Sequence, residues 1–473
     1  GRCSEVTMRA KVILGILLLS IFTPVAQAQG GQPDIVQEHW YHSHATLTID
    51  VNAWADNHPD IVDLTSAGQT ELGRELWVVR LSDWSVDTKP DGTQKDIVYI
   101  DGGHHGNEHL GTELAFLTAE YYIEGWASGD EEVQRVFANT ELHILIMLNA
   151  DGNDIDTRWN INQVDLNRNY DHHWNEHDET RPGSGPFSEA ETLANSIYMN
   201  TVVPNADLYV TMHTGVWIML YPWGLIPEQP SDWELFHSIR KEIHETISEI
   251  PVENANQGLY PNSGTSRDYG YGIMGYPTFT FETDDEQWAP GTVEPLSSRL
   301  GEELEVMQYL ISNVWHWRAR LHIHDLVIDE DSVSATVVNN ARTSTSNATL
   351  WWVPEGVDTT NLSVTNELID KNRTFTLSAT EAIMIGDFFG VNATNSTNIS
   401  FGIPEKVSDD GTFVLVYQKR VIDSSMAVVE TVHDEEVAVA SPADDIWLGG
   451  WGIFDPTGFL LALLAAAWWV SRR

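Results

Sequence analysis

Residues 96–109 read DIVYIDGGHHGNEH. An apolar run ends in two glycines, two adjacent histidines and a glutamate, and GTELAFLTAEYYIEGW (111–126) follows with helical periodicity. The order is strand, turn, helix. His105 and Glu108 are spaced so that an imidazole and a carboxylate on one turn can converge on a cation. They follow the C-terminal end of a strand, where ligand crevices form in α/β sheets. Zinc takes nitrogen and oxygen ligands, and a catalytic zinc has three protein ligands plus water. The third ligand is then expected from another strand end, and His213, closing ADLYVTMH (206–213), is the candidate. His104 competes, but its distance to Glu108 is one residue longer, so it reads as a flanking residue. By itself the spacing also fits a polar turn.

Outward from this stretch, apolar strands alternate with helical stretches over residues 36 to 319. ELWVVRLS (75–82), DIVYID (96–101), ELHILIML (141–148), ADLYVTMH (206–213) and PTFTFE (277–282) are the strand candidates. Near-continuous apolar runs suit strands buried on both faces. SEAETLANSIYMN (188–200) and SDWELFHSIRKEIHETISEI (231–250) carry helical periodicity. The pattern is that of an α/β domain. Beyond VWHWRARLHIHD the texture changes, and residues 321 to 435 become rich in Val, Thr, Ser and Asn with short alternating runs and frequent turns, as in a β-sandwich. Asn-x-Ser/Thr sequons at Asn347, Asn361, Asn372, Asn392, Asn395 and Asn398 all fall there. WHWRARLHIH marks the join, and DHHWNEHDE (171–179) reads as a solvated acidic loop.

The chain ends point to export. MRAKVILGILLLSIFTPVAQA (8–28) has a basic start, an apolar stretch and the triplet Ala26-Gln27-Ala28, the pattern of a signal peptide. The lone Cys3 excludes a disulfide framework. At the other end, GFLLALLAAAWWVSRR (458–473) pairs an apolar segment with a Trp belt and terminal arginines, read as a membrane anchor or sorting signal. PTGF (456–459) resembles approximately the short motif of archaeal C-terminal sorting signals. The expected division is 1–28 signal peptide, 29–319 catalytic domain, 320–440 β-sandwich, and 441–473 linker and anchor, placing the chain extracellularly at the cell surface. With 70 acidic against 25 basic residues, the net charge of −45 repels phosphate backbones and excludes nucleic acid as an expected partner. Nothing here fixes an oligomeric state.

Seven stretches then occur in order: GGHHGNE, NADG (149–152), TRWN (157–160), VDLNRNY (164–170), HTGVWIMLYPWG (213–224), LYPNSGTSRD (259–268) and TFTFE (278–282). Together they resemble the zinc carboxypeptidases of the carboxypeptidase A/B type over roughly residues 40 to 319. The resemblance implies a mixed central sheet flanked by helices, one zinc ion per catalytic domain, and peptide or protein C-termini as substrates. By that resemblance His105, Glu108 and His213 are the zinc ligands, and Asp165 orients the first histidine. Asn167 and Arg168 grip the substrate's terminal carboxylate, for which a guanidinium fork is suited. Arg158 polarises the scissile carbonyl, Glu282 is the general base, and Tyr260 closes over the substrate from a loop whose Pro, Asn, Ser and Gly permit movement.

Two positions depart from the family pattern. Asn107 stands where an arginine is often found, which puts contacts to the upstream peptide in doubt. Arg267, counted from Tyr260 and from Glu282, falls at the base of the pocket for the C-terminal side chain, where a basic residue implies acidic substrates. The other orientation turns it into solvent or pairs it with Asp268. The alternative functions are an acyl-amino-acid deacylase of the aspartoacylase type, whose first motif also resembles HGNE, and a catalytically inactive surface binding protein.

Overall fold

The computed structural model describes residues 41–429 except 91, 93, 231–232, 285–299, 330, 342–344, 346–347, 360–361, 370–371, 389, 418–419 and 427. The stretches read as signal peptide and as anchor lie outside the described residues. Among the described residues no helix is long and apolar enough to cross a membrane.

The segment 96–128 folds as its sequence predicts. Strand β3 (Asp96–Gly102) runs into the histidine turn, and a helix, here α2 (His109–Ser128), leaves it. Before it come α1 (His44–Asn57), capped by Ser43, and strands β1 (Val62–Gln69) and β2 (Glu75–Leu81). After it come α3 (Glu131–Asn139), β4 (Thr140–Leu145), the short α4 (Ala150–Asp154) and α5 (Ala190–Thr201). Strands β5 (Leu208–Gly215) and β6 (Ile218–Tyr221), helix α6 (Trp233–Thr246) and strand β7 (Val252–Asn254) follow. The domain is completed by α7 (Ala255–Gly258), α8 (Ser266–Gly272), β8 (Thr278–Asp284) and α9 (Gly301–Ser312).

Among the described residues these strands form one eight-stranded mixed sheet, ordered β1-β2-β4-β3-β5-β8-β6-β7. The centre is parallel, because β4, β3, β5 and β8 run together and are joined through helices. On either side of this centre the pairing turns antiparallel, with β2 on β4 and β6 on β8, while the edge strand β7 runs parallel to β6. Helices cover both faces. One face buries Val98, Ile100, Val210 and Phe281 against Leu114, Leu117 and Leu310 from α2 and α9. The other buries Tyr99, Tyr209, Tyr198 and Met199, with Tyr198 and Met199 coming from α5. Two-sided burial explains why β3 and β5 read as continuous apolar runs.

The strand candidate at 141–148 stops at Leu145. Residues 146–148 stay buried beneath the histidine turn, where Leu148 N donates to the carbonyl of Gly102 at 2.9 Å. From Leu321 the chain becomes all-β. β9 (Leu321–Ile328), β10 (Ser332–Asn339), β15 (Asn395–Gly402) and β18 (Val428–Val429) form one sheet, and β11 (Ala348–Val353), β14 (Ile383–Phe388), β16 (Thr412–Tyr417) and β17 (Arg420–Met426) form the other. A separate hairpin, β12 (Ser363–Ile369) with β13 (Asn372–Ser378), lies between β11 and β14 in sequence. The two larger sheets share a core of Leu321, Val333, Val337, Leu350, Trp352 and Phe413. Three of the sequon asparagines, Asn392, Asn395 and Asn398, are exposed.

Candidate metal centre and substrate pocket

Three side chains from two strand ends meet at the C-terminal edge of the parallel strands. His105 lies in the turn after β3, Glu108 occupies the N-cap position of α2, and His213 lies near the end of β5. Glu108 makes no capping bond. Its carboxylate turns toward the imidazoles instead, with Oε1 at 2.7 Å from His105 Nδ1 and Oε2 at 2.9 Å from His213 Nδ1. The two Nδ1 atoms are 3.3 Å apart. The three ligand atoms all lie within 4.8 Å of one another, among buried or nearly buried residues. Burial opposes the charge of Glu108, yet His105 and His213 hold its carboxyl well below the usual range.

This donor set fits zinc in kind and number, two imidazole nitrogens and one carboxylate oxygen, which leaves a position open. The surroundings also fit. His105 Nε2 faces Asp165 Oδ1 at 2.9 Å, so the outer nitrogen is fixed by a carboxylate and Nδ1 is left for a cation. Asp165 is itself immobilised as the cap of the short 3-10 turn Leu166–Arg168, and its Oδ2 accepts from Arg158 Nε at 3.1 Å. Burial opposes its charge as well, but His105, Arg158 and Arg168 hold its carboxyl well below the usual range.

The remaining sequence candidates line one pocket beside this cluster. Register pairs His213 with Glu282 across β5 and β8, which puts Glu282 at the pocket. Burial pushes its carboxyl above the usual value, and the charge of Glu108 adds to the effect. Arg158 is about a third exposed and donates through NH1 to Glu108 Oε1 at 2.8 Å. Arg168 is almost buried and Tyr260 is 46% exposed at the rim, with Arg168 NH2 at 3.3 Å from the Tyr260 hydroxyl. Asn167 is held by its Oδ1, which accepts from Ser266 N at 3.0 Å.

Arg267 resolves into both orientations that the sequence left open. It lines the pocket, and it is also paired, with Nε donating to Asp268 Oδ1 at 2.9 Å. NH2 donates to Asn262 Oδ1 at 2.9 Å, while among the described residues NH1 makes only a 3.4 Å contact with Thr280 Oγ1. Gly224 leaves space for this, since a Cβ there would stand 2.3 Å from Arg267 NH2. His104 stays outside the ligand set, buried, with its Nε2 at 2.8 Å from the Tyr170 hydroxyl.

The loop DHHWNEHDE is a correction. It is not simply a solvated acidic loop, because it delivers the nearly buried Glu179 to Arg168 Nε at 2.8 Å. Its composition carried no signal for this. The contacts depend on chain brought in from residue 263, 84 positions away.

Residues 50–296 match the family model for zinc carboxypeptidase. Carboxypeptidase B of Astacus astacus is 22% identical over 273 residues, which is 52% of this chain and 86% of that protein. Carboxypeptidase O of Bos taurus is 24% identical over 272 residues, 52% of this chain and 70% of that protein. The crystal structure of thrombin activatable fibrinolysis inhibitor superposes with a TM-score of 0.52 at 21% identity, covering 62% of this chain and 82% of that one, which is a likeness of fold. The matched span takes up just over half of the sequence and encloses both histidines, Glu108, the two pocket arginines at 158 and 168, and Glu282; the chain belongs to the zinc carboxypeptidase family.

Proposed function

We propose that the chain is an exported zinc carboxypeptidase that removes acidic residues from peptide C-termini. His105, Glu108 and His213 would hold the ion, and the observation that carries the reading is their convergence on one point beside a pocket walled by Arg168, Arg267 and Glu282. Zinc bound there would supply Lewis acidity, polarising the scissile carbonyl and acidifying a water.

The chain's own residues supply the rest. Arg168 and Asn167 take the terminal carboxylate at the pocket wall, which selects the last peptide bond. Arg158, at the mouth, donates to the carbonyl oxygen as negative charge develops on it. Glu282 accepts the proton of the attacking water and passes it to the leaving amine, a role helped by a carboxyl whose proton affinity is raised by burial. Tyr260 at the rim covers the bound C-terminus.

Arg267 sets the preference. Its Nε is engaged by Asp268, while among the described residues NH1 has only the long contact to Thr280, so a substrate carboxylate can be received on that side. With the guanidinium already paired to Asp268, what an acidic side chain adds is a charge-assisted hydrogen bond to NH1 that an apolar one cannot make, worth on the order of 1.5–3 kcal/mol. We place the catalytic part at 29–319 and the β-sandwich at 320–440 as a stalk, with residues 1–28 directing export and 441–473 anchoring the product.

A peptide set varying only at its C-terminus, free or amidated, with and without chelator, tests this. Free Glu- and Asp-terminated peptides should be cleaved well over tenfold faster than Phe-, Leu- or Lys-terminated ones, and chelation should abolish cleavage. Arg267→Leu should weaken the acidic preference and admit Leu and Phe. Equal cleavage of amidated and free peptides would defeat the exopeptidase reading. An unchanged ranking in Arg267→Leu would defeat only the acidic preference.

A further inference from the structure

Arg168 has to attract an anion, yet a buried carboxylate stands against it. Glu179 Oε2 accepts from Arg168 Nε at 2.8 Å, and its side chain is 8% exposed. Electrostatically this competes with the substrate, so its use must lie elsewhere. The other oxygen shows where: Glu179 Oε1 accepts from the backbone N–H of Ser263 at 2.7 Å. Ser263 lies three residues after Tyr260, and the Tyr260 hydroxyl accepts from Arg168 NH2 at 3.3 Å. Arg168, Glu179, Ser263 and Tyr260 form a closed ring of contacts.

The ring is built rather than incidental. Glu179 is fixed by its own N–H, which donates to Asn175 Oδ1 at 2.9 Å. The loop that carries it is held by Trp174 Nε1 and Asn169 Nδ2, both donating to the carbonyl of Pro182. The segments on either side are zipped together, with Tyr170 N donating to Gly264 O at 2.9 Å and Gly264 N to His172 O at 3.2 Å. Gly264 has φ +65°, and a Cβ there would meet Arg168 O at 2.6 Å, so only glycine allows the approach. A guanidinium has five N–H groups. Among the described residues Glu179, the carbonyl of Asn167 and Tyr260 take one each, which leaves two for a carboxylate.

We propose that Glu179 is a positioning residue, holding Arg168 and the Tyr260 loop as one unit so that the two remaining N–H groups of Arg168 meet the peptide's C-terminal carboxylate. This rests on the reading of Arg168 as the carboxylate-binding residue.

Glu179→Gln tests it, since an amide can accept from only one of the two donors and turns an N–H toward the other. KM for free Glu-terminated peptides should rise about tenfold or more, with kcat changed less than about threefold. The advantage of free over amidated peptide should shrink by the same factor, and zinc affinity, measured by chelator competition, should not move. Glu179→Asp keeps the charge but is one methylene short of spanning both donors, and should raise KM as well; it carries the test if the glutamine chain does not fold. An unchanged or lower KM would overturn the proposal, because Arg168 would then be relieved of a competitor rather than deprived of a brace. A fall in kcat shared equally by free and amidated peptides would overturn it too, as general damage. If the parent enzyme itself fails to prefer free C-termini, it is the reading of Arg168 that falls.

Discussion

Glu282 is the residue on which the proposed chemistry turns. Its place is set by β-sheet register with His213, not by loops, so replacing its carboxylate by an amide should leave the site's shape intact. Glu282→Gln should therefore bind zinc with parental affinity while kcat falls about 10²–10⁴-fold, the usual contribution of a positioned base. Steady-state kinetics together with metal titration would decide it, and near-parental turnover would move the base to another group. At this scale much of the site was legible in the sequence. His105, Glu108, His213, Arg158, Arg168 and Glu282 each sit at a strand end or in a turn, where a motif is read in a few consecutive letters. Glu179 was not legible, because its partners come from residues 168 and 263 and nothing in DHHWNEHDE distinguishes it from its exposed neighbours. Arg267 was legible only in part: counting placed it at the pocket, but the bond to Asp268 that shares its guanidinium is a matter of side-chain direction.

Among the elements, the start of α2 and strand β5 position two of the three metal ligands, Glu108 and His213, and their separation is fixed by a glycine. Gly111, in the first turn of α2, lies so close to β5 that a Cβ would stand 2.8 Å from the backbone C, N and O of His213. Its N–H donates to Thr214 Oγ1 at 2.8 Å. Real Cβ atoms do not approach backbone so closely, so Gly111→Ala must lift the helix start, and with it Glu108, away from His213. The expected result is a lower melting temperature and a metal released at lower chelator concentration; a variant that holds zinc as firmly as the parent would show that the contact gives way elsewhere. Helix propensity alone predicts the opposite sign, since alanine is favoured over glycine in a helix by about 1 kcal/mol. The same logic explains what the sequence reading missed. The central strands announce themselves through two-sided burial, whereas β1 buries only Val62 and leaves the rest of its residues partly or fully exposed, and β6 and β7 are only four and three residues long. Such strands are specified by their neighbours in the sheet more than by their own letters.

For the molecule as a whole, the change of sequence texture near residue 320 corresponds to the start of the β-sheets, and one side chain spans the join. Arg320 is bound through its backbone to the sandwich, its N–H donating to Asn339 Oδ1 at 3.1 Å and its carbonyl accepting from Asn340 N at 2.9 Å. Its guanidinium reaches the catalytic sheet, with NH2 at 2.6 Å from Asp96 Oδ1 and 3.6 Å from Asp207 Oδ1. Both carboxylates are 2% exposed. Burial, followed by the charge of Asp207, pushes the Asp96 carboxyl above its usual range, while Arg320 and Lys89 pull it down. Arg320→Met keeps the apolar stem and removes that pull, leaving Asp96 with Lys89 and depriving Asp207 of the guanidinium. Removing one partner of a buried ion pair costs on the order of 3 kcal/mol, which should lower the melting temperature by several degrees. The pH dependence follows from the sign of the shift. A carboxyl whose folded pKa is raised binds a proton more readily in the fold than in the unfolded chain, so its cost is felt above the unfolded value and relieved as pH falls through the folded one. The deficit of Arg320→Met against its parent should therefore be greatest near neutrality and narrow as the pH falls through the raised carboxyl's titration. Thermal melts of both chains across that range would check it. A deficit of equal size at every pH would mean that Arg320 acts through packing at the join, with the buried aspartates playing no part.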